Sequence, residues 1–198
     1  MCQLFETIRI IGGESQNLAL HEERMNHSRK KLFGNNDLLK LSDYIMVPNY
    51  AKETITRCRV IYGASINSVE FSRYIPANIQ TLKMVDAGTL VYDYKFLDRS
   101  QLTGLIDKNV ADDILIIKNR CITDASFANI VFTDGQQWIT PDTPLLYGTM
   151  RKFLLNNCII KESRITIDNL TLFSHFRLIN AMLGFDAPLL PVSNIILK

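Results

Sequence analysis

Lys95 is the first of four local features of this sequence that suggest a chemical role. It stands in Tyr-Asp-Tyr-Lys-Phe-Leu-Asp-Arg, among aromatic and apolar neighbours and just before a predicted helix. Burial disfavours the charged form of a lysine, lowers its pKa and makes its amine nucleophilic. The segment therefore predicts a reactive amine, against the common alternative of a lysine whose stem packs while its head stays in water.

Asp124 is the second candidate, at the end of a predicted strand and before Ala-Ser-Phe-Ala-Asn. A carboxylate in that position can pair with a protonated ring nitrogen of a bound cofactor. The same short segment is also typical of a turn.

Two further features suit an anion such as a phosphate. Gly148 leads into a predicted helix that begins with Thr149 and Met150, and the backbone N–H groups at a helix start bind anions with the help of the helix dipole. Arg24 lies on the first predicted helix, and a guanidinium can form two parallel bonds with a phosphate. The alternatives are a helix start that binds only water and an arginine in a weak surface ion pair.

The elements that must position these residues follow from the spacing of apolar side chains. Residues 5–11 alternate as a strand, and residues 20–33 show helical spacing that ends at a glycine. Residues 55–62, 68–74 and 78–85 each alternate with a period of two, which predicts a small antiparallel sheet with helices packed on it.

The second half of the sequence mixes helices and strands after a candidate linker at residues 87–94. A capping box that starts at Asp98 predicts a helix that continues to Val110, and Asp134-Gly135 between two alternating runs predicts a hairpin. The remaining predicted elements are strands at 114–118 and 176–181, a helix at 149–155 and the start of another at 166–169.

Composition limits the classes of function. The net charge is only +2, and the one basic run, residues 29–31, is expected on a solvated helix face, so nucleic-acid binding is not predicted. The four cysteines are far apart and have no metal-type spacing with the histidines, so no metal site is predicted. The sequence shows no signal peptide and no apolar run long enough for a membrane span, which favours a cytoplasmic protein with reduced thiols.

Five segments, taken in chain order, resemble motifs of the class IV aminotransferases, a superfamily that depends on pyridoxal 5′-phosphate (PLP) and includes aminodeoxychorismate lyase. The resemblance covers nearly the whole sequence and is closest to the lyase, whose Lys-x-Leu-Asn-Arg is similar to Lys-Phe-Leu-Asp-Arg here and whose Asn-Ala-Leu-Met is similar to Asn180-Ala-Met. The five segments are residues 5–9, 20–25, 95–99, 123–130 and 147–151.

The resemblance implies roles for individual residues. Lys95 would hold PLP and then exchange protons at the reacting carbon of the substrate, and Asp124 would bind the pyridine nitrogen. The residues implied at the phosphate are Arg24, Gly148, Thr149 and Met150, and those implied at the substrate are Thr7, Arg9 and Asn180.

The resemblance also implies an α+β, two-domain fold like that of D-amino-acid aminotransferase, as a homodimer. We expect a small N-terminal α/β domain over residues 1–87 and a larger mixed domain that binds PLP over residues 88–198. The family has a strand and loop before the segment matched by Phe5, so part of the substrate pocket is expected to be missing or rebuilt.

Three functions remain open on the sequence alone. The first is elimination of pyruvate from 4-amino-4-deoxychorismate to give 4-aminobenzoate, a step of folate biosynthesis. The second is transamination of a branched-chain or D-amino acid. The third is a degenerate, non-catalytic member of the fold, suggested because Asp124 stands where the family has a longer glutamate.

Overall fold

The computed structural model describes residues 2–197 and contains two compact units. The first unit comprises the residues up to Pro76 together with Tyr94–Asp98. The second comprises Ala77–Asp93 and the residues from Arg99 onward.

A four-stranded antiparallel sheet and one long helix form the first unit. Their bounds are β1 Leu4–Ile11, β2 Glu14–Ser15, α1 Leu18–Phe33, β3 Thr56–Tyr62 and β4 Ile66–Arg73, with 3-10 turns at Leu41–Asp43 and Asn49–Lys52. The strand order is β2-β1-β3-β4. Leu4, Ile8 and Ile10 of β1 are fully buried in the core, whereas Thr7 and Arg9 have the opposite parity and lie on the other face of the sheet.

Helix α1 confirms the helix predicted over residues 20–33 and ends at Gly34, whose φ is 73°. One expectation about it is wrong, because Arg29 does not lie on a solvated face. Its side chain is 2% exposed and forms an ion pair with Asp37 at 2.8 Å. Arg29 is four residues after the fully buried Met25 and so shares its buried face.

Residues 94–98 return to the first unit and extend its sheet. Leu4 and Phe96 form an antiparallel bridge, and the Phe5 N–H donates to the Lys95 carbonyl at 3.0 Å. Since β2 pairs only with Ile10 and Ile11, this segment occupies the same edge of β1 nearer its start.

Two sheets and two short helices form the second unit. Their bounds are β5 Leu82–Asp86, α2 Ser100–Thr103, β6 Asp113–Lys118, β7 Cys121–Ala125, β8 Asn129–Thr133, β9 Trp138–Pro141, α3 Thr149–Asn156, β10 Lys161–Ser163, β11 His175–Ile179, β12 Leu190–Pro191 and β13 Ile195–Ile196, with 3-10 turns at Leu170–Leu172 and Val192–Asn194. The strand orders are β13-β5-β6-β7 and β10-β9-β8-β11-β12. Strands β7 and β8 are buried along their whole length and contribute to the core between the sheets.

The run at residues 78–85 does not join the first sheet as the sequence pattern predicts. Strand β5 instead pairs in parallel with β6, with Leu82 opposite Asp113. Strands in parallel pairs are commonly buried on both faces, and β6 is buried along nearly its whole length. This pairing places β5 in the second unit, so the division falls after Pro76 and not between residues 87 and 88.

The helix predicted from Asp98 to Val110 is wrong beyond its first turn. Helix α2 covers only Ser100–Thr103, and its N-cap is Arg99. Gly104 follows at once, and glycine is a weak helix former. The helix start predicted at 166–169 is likewise replaced by the 3-10 turn at Leu170–Leu172.

The other predicted elements of the second half are confirmed. The Asp134-Gly135 turn, with Gly135 at φ 99°, joins β8 to the antiparallel β9, and α3 begins at Thr149 as predicted. The chain therefore has a mixed α and β fold with few helices and several sheets. No helix within residues 2–197 is long and apolar enough to cross a membrane.

Candidate functional site

Glu6 connects β1 to α1 through contacts with two side chains of the helix, His21 and Arg24. His21 Nδ1 lies 2.6 Å from Glu6 Oε2, while Arg24 donates from Nε to Oε1 at 2.9 Å and from Nη2 to Oε2 at 2.5 Å. Glu6 and His21 are fully buried, and the Arg24 side chain is 15% exposed. Residues three apart on a helix lie on one face, so α1 presents both partners to the same carboxylate.

Burial and neighbouring charges set the protonation of this cluster. Burial alone would raise the pKa of Glu6, but the charge of Arg24 and the hydrogen bond from His21 lower it to about 2. Burial lowers the pKa of His21, and the charges of Arg24 and Lys95 lower it further, against the opposing effect of Glu6. A neutral imidazole that faces a carboxylate must donate from Nδ1, because an ionised carboxylate only accepts. Arg24 is thus fixed in one orientation by an ionised partner.

Lys95 lies beside the start of β1 with its amine over an aromatic ring. Its Nζ is 4.6 Å from the centroid of the Phe5 ring. Tyr94 and Phe96, on either side of it, pack against the core of the first unit, and alternation therefore directs the Lys95 side chain to the opposite face. The aromatic ring beside the amine is that of Phe5 and not those of its chain neighbours, and the chemical role of Lys95 stays a prediction.

Thr7 and Arg9, which were expected at the substrate, share the face of the sheet that carries Phe5. Strand β3 places Arg59 opposite Thr7, and the guanidinium carbon of Arg59 is 4.7 Å from the centroid of the Phe5 ring. The structure therefore brings Lys95, Thr7 and Arg9 onto one face of the sheet.

Asp124 is at the centre of a closed hydrogen-bond cluster in the second unit. Its Oδ1 accepts from Asn129 Nδ2 at 2.7 Å, and its Oδ2 accepts from the Leu146 N–H at 2.9 Å. Asn129 also donates to the Leu146 carbonyl at 2.8 Å. Arg99 donates to the carbonyl of Ser126 and so fixes the turn that follows Asp124.

Burial raises the pKa of Asp124 to about 6, although the Leu146 N–H, Asn129 and the charge of Arg151 act in the opposite direction. A nearby cation would lower that pKa again, because it stabilises the ionised carboxylate. A carboxylate has about four lone-pair sites, so the hydrogen bonds from Asn129 and from the backbone of Leu145 and Leu146 leave accepting capacity for a protonated ring nitrogen.

Gly148 allows the start of α3 to approach this cluster. A Cβ atom at Gly148 would lie 1.9 Å from Asn129 Oδ1, so no other residue fits there without displacing Asn129. Gly148 is the N-cap of α3 and makes no side-chain cap bond, and the helix continues with Thr149 and Met150. The structure thus brings Asp124 and Gly148 together through Asn129.

Asn180 follows β11 and is engaged in a local turn. Its Oδ1 accepts from the N–H groups of Met182 at 2.8 Å and Leu183 at 2.9 Å. Its Nδ2 is 3.4 Å from the Phe127 carbonyl. The substrate role expected for Asn180 stays a prediction, and its oxygen already has two partners.

Comparison with known proteins gives a family that agrees with this geometry. The family model described as amino-transferase class IV matches residues 103–195. An uncharacterized protein of Haemophilus influenzae is 35% identical over 187 residues, which cover 93% of this chain and all of that protein. A crystal structure from Haemophilus somnus, described as a "putative 4-amino-4-deoxychorismate lyase", is 34% identical with a TM-score of 0.87, over 93% of this chain and 98% of that one.

The chain belongs to the class IV aminotransferase family. A more distant structure has the same fold, namely the PLP-bound form of a hypothetical aminotransferase from Mycobacterium tuberculosis. It is 15% identical with a TM-score of 0.74, over 95% of this chain and 80% of that one. These matches confirm the family that the sequence motifs predict.

The residues present suit PLP, the cofactor on which class IV aminotransferases depend. The first unit has an amine over an aromatic ring at Lys95 and a guanidinium held by an ionised partner at Arg24. The second has a buried carboxyl, Asp124, whose raised pKa favours a cationic partner, and a helix start whose approach depends on Gly148.

Sequence reasoning missed Glu6 as the partner of Arg24. A signal was present, because Glu6 has the same parity in β1 as Leu4, Ile8 and Ile10 and so must face the core. A buried carboxylate requires a partner, and α1 supplies His21 and Arg24.

Proposed function

We propose that this protein is a PLP-dependent lyase that converts 4-amino-4-deoxychorismate to 4-aminobenzoate and pyruvate. The observation that carries the proposal is the likeness to the Haemophilus somnus protein, which extends over 93% of this chain at 34% identity and is described by that activity. When bound, PLP would supply an electron-withdrawing ring that stabilises negative charge at the carbon attached to the substrate nitrogen.

Lys95 has two tasks in this proposal. Its amine holds the cofactor, and after release it removes the proton from the ring carbon that carries the amino group. The bond between the ring and the enolpyruvyl oxygen then breaks, and return of a proton to the departing enol gives pyruvate. The remaining six-membered ring is aromatic, which favours completion of the reaction.

The other predicted residues would bind and orient in this proposal. Arg24, kept in place by Glu6, is the phosphate ligand proposed in the first unit. Gly148 and the first N–H groups of α3, those of Thr149 and Met150, are the phosphate ligands proposed in the second. Asp124 would accept the N–H of the pyridine ring and so remain ionised. Thr7, Arg9 and Asn180 are proposed at the substrate, and a cytoplasmic homodimer is the proposed form of the protein.

Transamination of an amino acid is the second candidate, because the family takes its name from that reaction. It uses the same Lys95 and the same cofactor. It differs in the fate of the cofactor, which would leave the half-reaction as pyridoxamine phosphate.

Turnover assays distinguish the two candidates. With PLP and 4-amino-4-deoxychorismate, we expect the wild type to release 4-aminobenzoate and pyruvate in equal amounts. Lys95→Ala should lower that rate by at least about 10²- to 10⁴-fold, since it removes the proton-transfer group. Lys83→Ala, on strand β5, is the matched control and should retain the rate.

The same assays include a result that would overturn the lyase proposal. If 4-amino-4-deoxychorismate is unchanged while a plain amino acid converts the cofactor to pyridoxamine phosphate, the protein is an aminotransferase.

A further inference from the structure

Asn129 lies between two parts of the second unit that the proposed function assigns to different ends of the cofactor. Its Nδ2 donates to Asp124 Oδ1 at 2.7 Å and to the Leu146 carbonyl at 2.8 Å, so both N–H groups of the amide are used. Its Oδ1 faces Gly148, where a Cβ atom would lie 1.9 Å from it. The whole amide is therefore directed at Asp124 or at the segment that leads into α3.

The hydrogen bonds among Asp124, Asn129 and Leu146 form a closed ring. The Leu146 N–H donates to Asp124 Oδ2 at 2.9 Å, and the Leu146 carbonyl accepts from Asn129. Asp124 and Asn129 are each 5% exposed. Hydrogen bonds are stronger in a buried, low-dielectric setting, and a fully satisfied polar network there specifies one arrangement. Moving any one of these three groups therefore disturbs its bonds to the other two.

The residue type at position 129 suits this task. A carboxamide carries two donors on one nitrogen with an acceptor beside it, whereas a serine hydroxyl would donate only once. An ionised aspartate would have no donor and would place a like charge beside Asp124. The backbone of Asn129 is held as well, because it begins β8 and pairs with Ile179 of β11. The amide thus extends from a fixed strand.

We propose that Asn129 is a positioning residue that links binding of the cofactor's ring nitrogen to binding of its phosphate. It acts through Asp124 on one side and through the start of α3 on the other. The inference rests on the proposed function, in which Asp124 accepts the ring N–H and the start of α3 binds the phosphate. A change at either end should then alter binding at the other, because both ends depend on the same amide.

Pyridoxamine 5′-phosphate and pyridoxamine test this link without turnover. The two compounds differ only in the phosphate, and neither has the aldehyde that would bond to Lys95. In calorimetric titrations the wild type should bind the phosphate compound more tightly. Asn129→Ala should lower this preference by about tenfold, because the start of α3 loses a hydrogen bond that fixes it.

Asn169→Ala is the matched control for this comparison. It also removes an amide that bonds to two backbone groups, accepting from the Thr166 N–H and donating to the Arg164 carbonyl. It should keep the wild-type preference for the phosphate compound.

Asp124→Asn measures the link at the ring nitrogen. This change should weaken binding of both compounds by about tenfold, because the amide cannot supply the negative charge that a protonated ring nitrogen pairs with. In an Asn129→Ala background the same change should weaken binding less, because Asp124 is then no longer held in one direction.

Gly148→Ala approaches the same amide from the other end and does not require Asn129→Ala to fold. Its added carbon would displace the Asn129 side chain. It should therefore weaken binding of pyridoxamine by about threefold or more, although that compound has no phosphate that α3 could bind. Gly63→Ala, whose Cβ would meet no atom closer than 3.8 Å, should leave that binding unchanged.

Two results would overturn the role of Asn129. One is a preference for the phosphate compound that is the same in wild type and Asn129→Ala, which is also what a general loss of structure would give. The other is a pyridoxamine affinity that is the same in wild type and Gly148→Ala. Failure of the lyase proposal is recognised separately, because a wild type that binds both compounds yet releases no 4-aminobenzoate and pyruvate contradicts only the reaction. A wild type that binds neither compound would overturn both proposals.

Discussion

Asp124 combines a buried position with a carboxyl that the surrounding protein does not fully stabilise. The N–H of Leu146 and the amide of Asn129 both donate to it, yet burial still raises its pKa to about 6. A protonated ring nitrogen would supply the missing positive charge. Aspartate is one methylene shorter than the glutamate of the family pattern, so the ring would have to lie closer to β7.

The raised pKa of Asp124 predicts a pH dependence of stability in the protein without PLP. The folded state holds a proton that the unfolded chain has released, so the stabilisation is complete below pH 4 and is lost as pH rises through 6. Urea unfolding of wild type and Asp124→Asn measures this. The difference between their free energies of unfolding should shift by about 2 kcal/mol against the wild type between pH 4 and 7.

Comparison with Asp124→Asn isolates this group from Glu6 and His21, which titrate in both proteins. Added PLP should reduce the shift, because a cation beside Asp124 lowers its pKa. If the difference in free energy of unfolding between wild type and Asp124→Asn is constant over this pH range, the assigned protonation of Asp124 is wrong.

Helix α3 is positioned by the absence of a side chain at its N-cap. Gly148 lies so close to Asn129 that a methyl group there would overlap its amide oxygen. The same amide donates to Asp124, so the start of α3 and the buried carboxylate depend on one side chain.

Gly148→Ala is predicted to lower the free energy of unfolding by about 1–3 kcal/mol, because the added carbon overpacks the site. In an Asn129→Ala background the same change should cost less, since the overlapping amide is gone. Thermal or urea unfolding of the single and double variants measures this coupling. Gly63→Ala is the control, because its Cβ would meet no atom closer than 3.8 Å. If Gly148→Ala lowers the free energy of unfolding equally with and without Asn129, contact with Asn129 is not the reason that glycine is required at position 148.

Sequence periodicity predicted elements whose pattern is local, and it failed where a distant strand decides the pairing. Strand β1, helix α1 and the hairpin at Asp134-Gly135 follow from alternation, helical spacing and turn residues. The parallel pairing of β5 with β6 depends on a strand about thirty residues further along the chain, which a local pattern does not reveal. The candidate site differs in the same way, because Lys95 and Asp124 lie in sequence motifs, whereas the partner of Glu6 is on a separate helix and only the parity of Glu6 in β1 signals its burial. The roles of Lys95 and Asp124 stay predictions.

The two units contribute different chemistry to the whole molecule. The first contains Lys95 and the fixed guanidinium of Arg24, and the second contains Asp124 and the start of α3 at Gly148. The family and the fold are shown for the chain as a whole, and the central claim that remains for experiment is that Lys95 holds PLP.

Reductive trapping tests this claim most directly. Wild-type protein incubated with PLP is treated with borohydride, digested and analysed by mass spectrometry, so that every lysine is examined at once. We predict a phosphopyridoxyl group on Lys95, none on Lys83, and no labelled peptide from Lys95→Ala. Labelling of a different lysine, or of none in the wild type, would contradict the account.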